Sequence, residues 1–166
     1  MEAPAIRPAP ERIDLAGLIR QVETEWSSRL GGRLSVATTL PLPDVMGDEP
    51  VLRRVLGNLL LNAIVHGGDG VSVRISAAVE GTLAHIDVED DGPGVPAADS
   101  ARVFEKFVQG AAPVAGGRRP GSGLGLTYCR AAMEALGGHI ALLPPGDASG
   151  ATFRMSLPVA NGPGAA

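Results

Sequence analysis

The segment RPGSGLGLTYCR, residues 119–130, sets glycines at 121, 123 and 125 directly ahead of a stretch with helical spacing. Glycine loses more backbone freedom on ordering than any other residue, so three at alternate positions mark a place where bare backbone must approach something closely. At a helix mouth the unpaired N–H groups and the positive end of the helix dipole form a seat for an anion. Gly121, Ser122, Gly123, Leu124 and Gly125 can therefore cradle phosphate oxygens, and the glycines leave room for a polyphosphate. Arg118 and Arg119, just upstream, are either phosphate partners on a lid or solvated surface arginines.

The rest of the chain bounds this reading. Its 166 residues, 45% hydrophobic, suit one globular domain with a core of its own. Cys129 is the only cysteine and cannot form an internal disulfide. No apolar run approaches the roughly 20 residues that span a bilayer. The start, MEAPAIRPAPER, lacks the apolar centre of a signal peptide, so a reducing cytoplasm is the expected location, with a membrane anchor elsewhere in a full-length protein left open. A formal charge of −4 and 3% aromatic residues give neither a basic footprint nor stacking platforms, which argues against nucleic acid.

Residues 1–12, rich in proline and alanine, read as a linker or a cut end, residues 13–160 as the domain, and 161–166 as a flexible tail. Asp14 caps a helix to about Arg29, and RLSVATTL follows as a strand. PLPDVMGDE is a turn leading to Asp48, the cap of a second helix that runs to His66 and is stopped by Gly67, Gly68 and Gly70. VSVRISAAV and LAHIDVED form a hairpin through Glu80 and Gly81. A short helix is expected around DSARVFEKF, then a mobile glycine- and proline-rich loop, then a helix from about Gly123 to Leu136 and two last strands, HIALL and TFRMSLPV. Such an order predicts an α/β two-layer sandwich, a mixed sheet with about three helices on one face.

Two further segments carry chemistry. In VLRRVLGNLLLNAIVHG the apolar residues share one arc of a helix, while Asn58, Asn62 and His66 recur at i, i+4 and i+8 along its margin. Asparagine is a poor helix former, and its amide oxygen can ligate a hard cation such as Mg²⁺; alternatively both amides are surface groups. In VEDDGPGVP, Gly92 and Gly94 let backbone approach a flat ligand, and Asp90 can accept a hydrogen bond from an exocyclic amine such as that of adenine. Asp91 reads as a solvated turn residue.

Taken together, two helix asparagines, Asp-x-Gly-x-Gly, Phe-x-x-Phe and Gly-x-Gly-x-Gly occur in an order that resembles the catalytic and ATP-binding domain of bacterial sensor histidine kinases, in the superfamily shared with gyrase B, Hsp90 and MutL. The resemblance runs from Asp14 to Val159. It implies the Bergerat ATP-binding fold, with ATP and Mg²⁺ as cofactors. NLLLNAIVH then resembles the N box, with Asn62 the metal ligand, Asn58 close to metal and phosphates and His66 at its end. DDGPG resembles the G1 box, with Asp90 on the adenine amine. VFEKF resembles the F box, with Phe104 and Phe107 anchoring the lid, and GSGLGL, through Leu126, the G2 box. Val65 and Gln109 stand where the family often has a lysine and an arginine.

Asn58 also bears on reaction type. Related ATPases such as gyrase B carry a glutamate there, a general base that activates water, whereas an asparagine has no basic site. Slow hydrolysis and phosphoryl transfer to a protein are therefore expected. None of the three histidines reads as a phosphoacceptor: His85 lies in a strand, His139 opens another, and His66 ends the second helix. The resemblance places the acceptor on a helical hairpin, in the same full-length protein or in trans, with a response regulator downstream; this domain alone should be a monomer. A stand-alone serine kinase of the anti-sigma-factor type and a nucleotide-binding module without turnover remain as alternatives.

Overall fold

The computed structural model describes residues 5–39, 41–105, 125–146 and 149–160. In chain order its elements are β1 (Glu11–Ile13), α1 (Leu15–Leu30), β2 (Leu34–Thr38), β3 (Val45–Gly47), α2 (Glu49–Gly67), β4 (Val73–Glu80), β5 (Leu83–Asp90), α3 (Ala97–Ser100), α4 (Gly125–Ala135), β6 (His139–Leu142) and β7 (Thr152–Pro158).

Both long helices begin at side-chain caps. The Asp14 carboxylate accepts the Gly17 N–H at 3.0 Å, and the Asp48 carboxylate accepts the Val51 N–H at 3.2 Å, each satisfying a donor that the helix cannot. Asp48 does more than cap. Its second oxygen accepts the Ala9 N–H at 2.8 Å, tying the segment before β1 to the first turn of α2.

Five strands form one mixed sheet in the order β2-β4-β5-β7-β6; only the β2–β4 pair is parallel. One face of the sheet is apolar: Val73, Ile75 and Ala77 from β4, Ala84, Ile86 and Val88 from β5, and Phe153, Met155 and Leu157 from β7 are buried. The alternation follows from the period of two along a strand. Against this face lie α1, α2 and α4, whose Leu18, Ile19, Leu52, Leu56, Leu59, Leu60 and Met133 complete the core. This is the two-layer sandwich with helices on one face that the sequence predicts.

The other face of the sheet is polar and pairs its own charges. Arg154 grips Asp87 across β7 and β5 with two bonds of 2.7 and 2.8 Å, and His85 Nδ1 lies 2.7 Å from the Ser156 hydroxyl. His85 is accounted for by this contact within the sheet.

Three elements differ from the sequence reading. β1 and β3 pair antiparallel as a separate two-stranded sheet, where proline-rich linker and turn were expected. Each has three residues, too few for an alternation to be seen, and Ile13 and Val45 are held by core contacts from afar. The short helix expected around DSARVFEKF is a four-residue helix, Ala97–Ser100, followed by turns to Phe104. The mobile loop expected at 108–122, with Arg118, Arg119, Gly121 and Ser122, lies outside the described residues, as do Phe107 of the expected short helix and Gly123 and Leu124 of the expected third one.

Candidate nucleotide site at the end of β5

Asp90 is the last residue of β5 and falls in phase with Ala84, Ile86 and Val88, so it points toward the helices from a position the pattern would give to an apolar residue. It is only 9% exposed. Burial pushes its carboxyl pKa up; N–H groups of Gly92 and Ala151 and the nearby His66 act against that, while Asp91 adds to it. The Gly92 bond, to Oδ1, is 3.0 Å long. A carboxylate has about four acceptor directions, so two filled by backbone leave others for a ligand donor.

The backbone around Asp90 is packed too closely for side chains. A Cβ on Gly92 would stand 2.7 Å from the Cα of Gly67, the last residue of α2, and one on Gly94 would stand 2.9 Å from the Gly150 carbonyl oxygen. Gly150 is tighter still: at φ +114° its Cβ would fall 1.7 Å from the Asp90 carbonyl oxygen. The turn after β5 is thus wedged between the end of α2 and the strand-entry loop before β7. Asp90 N–H closes the arrangement by donating to the Ala151 carbonyl at 2.9 Å. Asp91, read as a solvated turn residue, is exposed but accepts the Ser72 N–H at 2.8 Å and so holds the turn to β4.

On α2, Asn58 and Asn62 are half-buried and His66 is exposed, in the seam the spacing predicts. His66 lies near enough to Asp90 for their charges to interact. Desolvation lowers its pKa and the Asp90 carboxylate opposes the shift, so the imidazole is neutral at pH 7. At the other end of the seam Asn58 meets α4: a Cβ on Gly125 would be 3.9 Å from the Asn58 carboxamide carbon. The structure therefore brings Asn58 to Gly125, His66 to Asp90, and Gly67 to Gly92. Among the described residues no group of three or more His, Cys, Asp or Glu could hold a metal. The donor set that α2 offers is two neutral amides, which fits a hard cation that brings its other oxygen ligands as phosphate and water.

Phe104 lies beside this end of the sheet. Its ring meets Phe153 of β7 edge-on at 6.0 Å, and its carbonyl accepts the Thr127 hydroxyl at 3.1 Å, so the two flanks of residues 105–126 are held together. Leu126 is partly buried against the core. Gly150, Ala151 and Thr127 were not singled out in the sequence, and Cys129 was read there only as a lone cysteine. Gly150 alone left a signal, a lone glycine just before a strand.

The family model described as histidine kinase-, DNA gyrase B-, and HSP90-like ATPase matches residues 47–161. The chain is 38% identical over 136 residues to the sensor protein KdpD of Escherichia coli K12, covering 81% of this chain and 14% of that protein. It is 34% identical over 164 residues to the adaptive-response sensory kinase SasA of Parasynechococcus marenigrum, covering 93% of this chain and 41% of SasA. It therefore spans well under half the length of these relatives. Among solved structures, full-length ShkA in complex with AMPPNP superposes with a TM-score of 0.78 at 32% identity, over 96% of this chain and 34% of ShkA. Sequence and fold agree: the chain belongs to the family of histidine kinase-, DNA gyrase B- and HSP90-like ATPases, as a catalytic domain of the sensor histidine kinase type.

Proposed function

We propose that the chain binds Mg-ATP and transfers the γ-phosphoryl group to a histidine on a helical phosphoacceptor hairpin outside this chain, which passes it to a response regulator. The observation that carries the reading is Asp90, a carboxylate in an apolar phase of β5, desolvated, with backbone rather than side chains on the sides facing Gly92 and Gly150. Such a group selects a ligand by the donor it presents, and adenine's exocyclic amine is that donor where guanine offers a carbonyl oxygen. The glycine turn provides the flat approach a purine ring needs.

From the adenine end the α2 seam runs from His66 through Asn62 to Asn58. Asn62 would hold the metal and Asn58 would bond its neighbouring phosphates, with the N–H groups of residues 121–125 at the chain's far phosphate. Mg²⁺, when bound, supplies neutralisation of phosphate charge. Asn58 cannot accept a proton from water, so the site lacks a base at the position nearest α4 and favours an incoming imidazole nucleophile over hydrolysis. A neutral His66 adds no charge beside Asp90.

Calorimetric titration of the chain with ADP and GDP, each with and without Mg²⁺, tests the binding half. Selective, magnesium-enhanced ADP binding is expected; equal affinity for both nucleotides would overturn the role of Asp90. Incubation with γ-labelled ATP and a purified acceptor hairpin tests transfer. Acid-labile, alkali-stable label on the hairpin is expected, and release of free phosphate without labelling would identify a hydrolase instead.

A further inference from the structure

α2 and α4 carry four basic side chains, Arg53, Arg54, His66 and Arg130. Three are accounted for. Arg53 turns to α1, where Glu25 and Gln21 take its guanidinium, together with Glu49 of its own helix at 2.8 Å. Arg130 pairs with Glu134 one turn on at 3.2 Å, and His66 is neutral. Arg54 turns the other way, to α4, and among the described residues it has neither a hydrogen bond nor an acidic partner. What holds it is the Tyr128 ring, whose centroid lies 3.9 Å from the guanidinium carbon. A guanidinium stacked on a ring uses its face, while its five N–H groups point outward in its plane. The contact therefore orders the side chain and leaves its donors for a ligand.

Arg54 also continues the seam. It stands four residues before Asn58, as Asn58 does before Asn62 and Asn62 before His66, with about 6 Å of helix axis to each step. The two helices run antiparallel here: Asn58 meets Gly125 at the first residue of α4, and Arg54 meets Tyr128 three residues further in. Arg54 thus lies one turn beyond Asn58, on the side away from Asp90. A triphosphate keeps negative charge after one Mg²⁺ has bound, and the two amides and neutral imidazole of the seam bring no positive charge to match it.

We infer that Arg54 is the ligand of the terminal phosphate: its guanidinium, held flat on Tyr128, takes oxygens of that phosphate where the phosphate chain has passed Asn62 and Asn58. The inference rests on the nucleotide-binding role proposed for the seam. It gives Arg54 the task of reading phosphate number, since a diphosphate ends one group short of it. Once the γ-phosphoryl group has moved to its acceptor, ADP lacks what Arg54 holds, so the same contact favours substrate over product. Tyr128 is the positioning residue. A lysine at position 54 would bring the charge without the planar fork or the face that stacks.

Calorimetric titration of the chain with AMPPNP and with ADP, both with Mg²⁺, tests this. Arg54 is exposed, so Arg54→Gln keeps the fold. It should weaken AMPPNP binding by about 10- to 100-fold, the worth of a charge-assisted contact, and leave ADP within about twofold. Tyr128→Leu should weaken AMPPNP by about two- to fivefold and add nothing to the loss in Arg54→Gln. Arg53→Gln is the control: it removes the neighbouring charge and should lower the urea midpoint, since Arg53 ties α1 to α2, while keeping the parent's ratio of AMPPNP to ADP affinity. Equal losses for both nucleotides in Arg54→Gln, a parent-like ratio in that variant, or a ratio in Arg53→Gln as low as in Arg54→Gln would each overturn the inference while the nucleotide site stands. A parent that binds neither nucleotide would remove the site and the inference with it, so the two failures are told apart.

Discussion

Replacing Gly150 by alanine is the most demanding single test of how the site is built. The added Cβ would fall 1.7 Å from the Asp90 carbonyl oxygen and 2.8 Å from its carbon, where carbons of real side chains essentially never come within 3.0 Å. Neither neighbour can yield cheaply, because both are backbone: the Asp90 N–H is bonded to the Ala151 carbonyl at 2.9 Å and the Asp90 carboxylate to the Gly92 N–H at 3.0 Å. Holding alanine at φ +114° costs about 1–3 kcal/mol, and separating the strands enough to relieve the clash forfeits about 1 kcal/mol more for the Asp90–Ala151 bond. Of a total stability of roughly 5–15 kcal/mol, a loss of about 2–4 kcal/mol is large. Urea unfolding followed through Trp26, the only tryptophan, reads it directly. ADP affinity should fall by about 10- to 100-fold in the same variant, since the carboxylate that would take the adenine amine is displaced. Gly146→Ala is the control, because a Cβ there meets nothing within 4 Å, and it should stay within about 0.5 kcal/mol of the parent. A Gly150→Ala protein as stable as the Gly146→Ala control, with parent-like ADP affinity, would refute the wedge.

Asn62→Ala should weaken ADP binding in the presence of magnesium and leave it unchanged without, with the unfolding midpoint unaltered; calorimetry on both checks it. Asp90→Asn should reduce discrimination between ADP and GDP. The same variant tests the raised Asp90 pKa: a carboxyl that binds its proton more tightly when folded adds stability below its unfolded value of 3.8 and loses it as pH rises through the higher folded value. The stability of Asp90→Asn relative to the parent should therefore increase as pH is taken from 3 to 7, and a constant difference would exclude the shift. Asp48→Ala should cost about 1–2 kcal/mol in urea unfolding and expose the Ala9 amide to rapid hydrogen exchange, since one carboxylate serves both.

Much of the architecture was legible because its signals are local. Asp14 and Asp48 stand directly before apolar helical repeats, and their side chains make the capping bonds. The β4–β5 hairpin follows from an alternation that ends near Gly81, although Glu80, expected in the turn, still pairs with Leu83, so the turn is Gly81 and Thr82 and eight positions are paired. β1 and β3 were hidden for the opposite reason, since three-residue strands flanked by proline and aspartate depend on partners 32 or more positions away. The site divides in the same way. Asp90, Gly92 and Gly94 lie in one turn and announce themselves, but what makes them a pocket is Gly67, Gly150 and Ala151, contributed by two other segments. Cys129 offered only a lone cysteine on an apolar helix, and its bond to the Val55 carbonyl exists only once α2 and α4 are packed.

The double duty of Asp48 has a mechanical side. α2 is a rod of 19 residues, about 28 Å long, with the incoming chain fastened at one end and the Gly67–Gly92 contact at the other. A force on the segment before β1 meets a joint made of one carboxylate and a two-stranded sheet, with the Arg12–Asp44 ion pair alongside. The first turn of α2 and its last residue thus tie two distant stretches of chain, the segment before β1 and the turn after β5, to one rigid element whose buried face is fixed in the core.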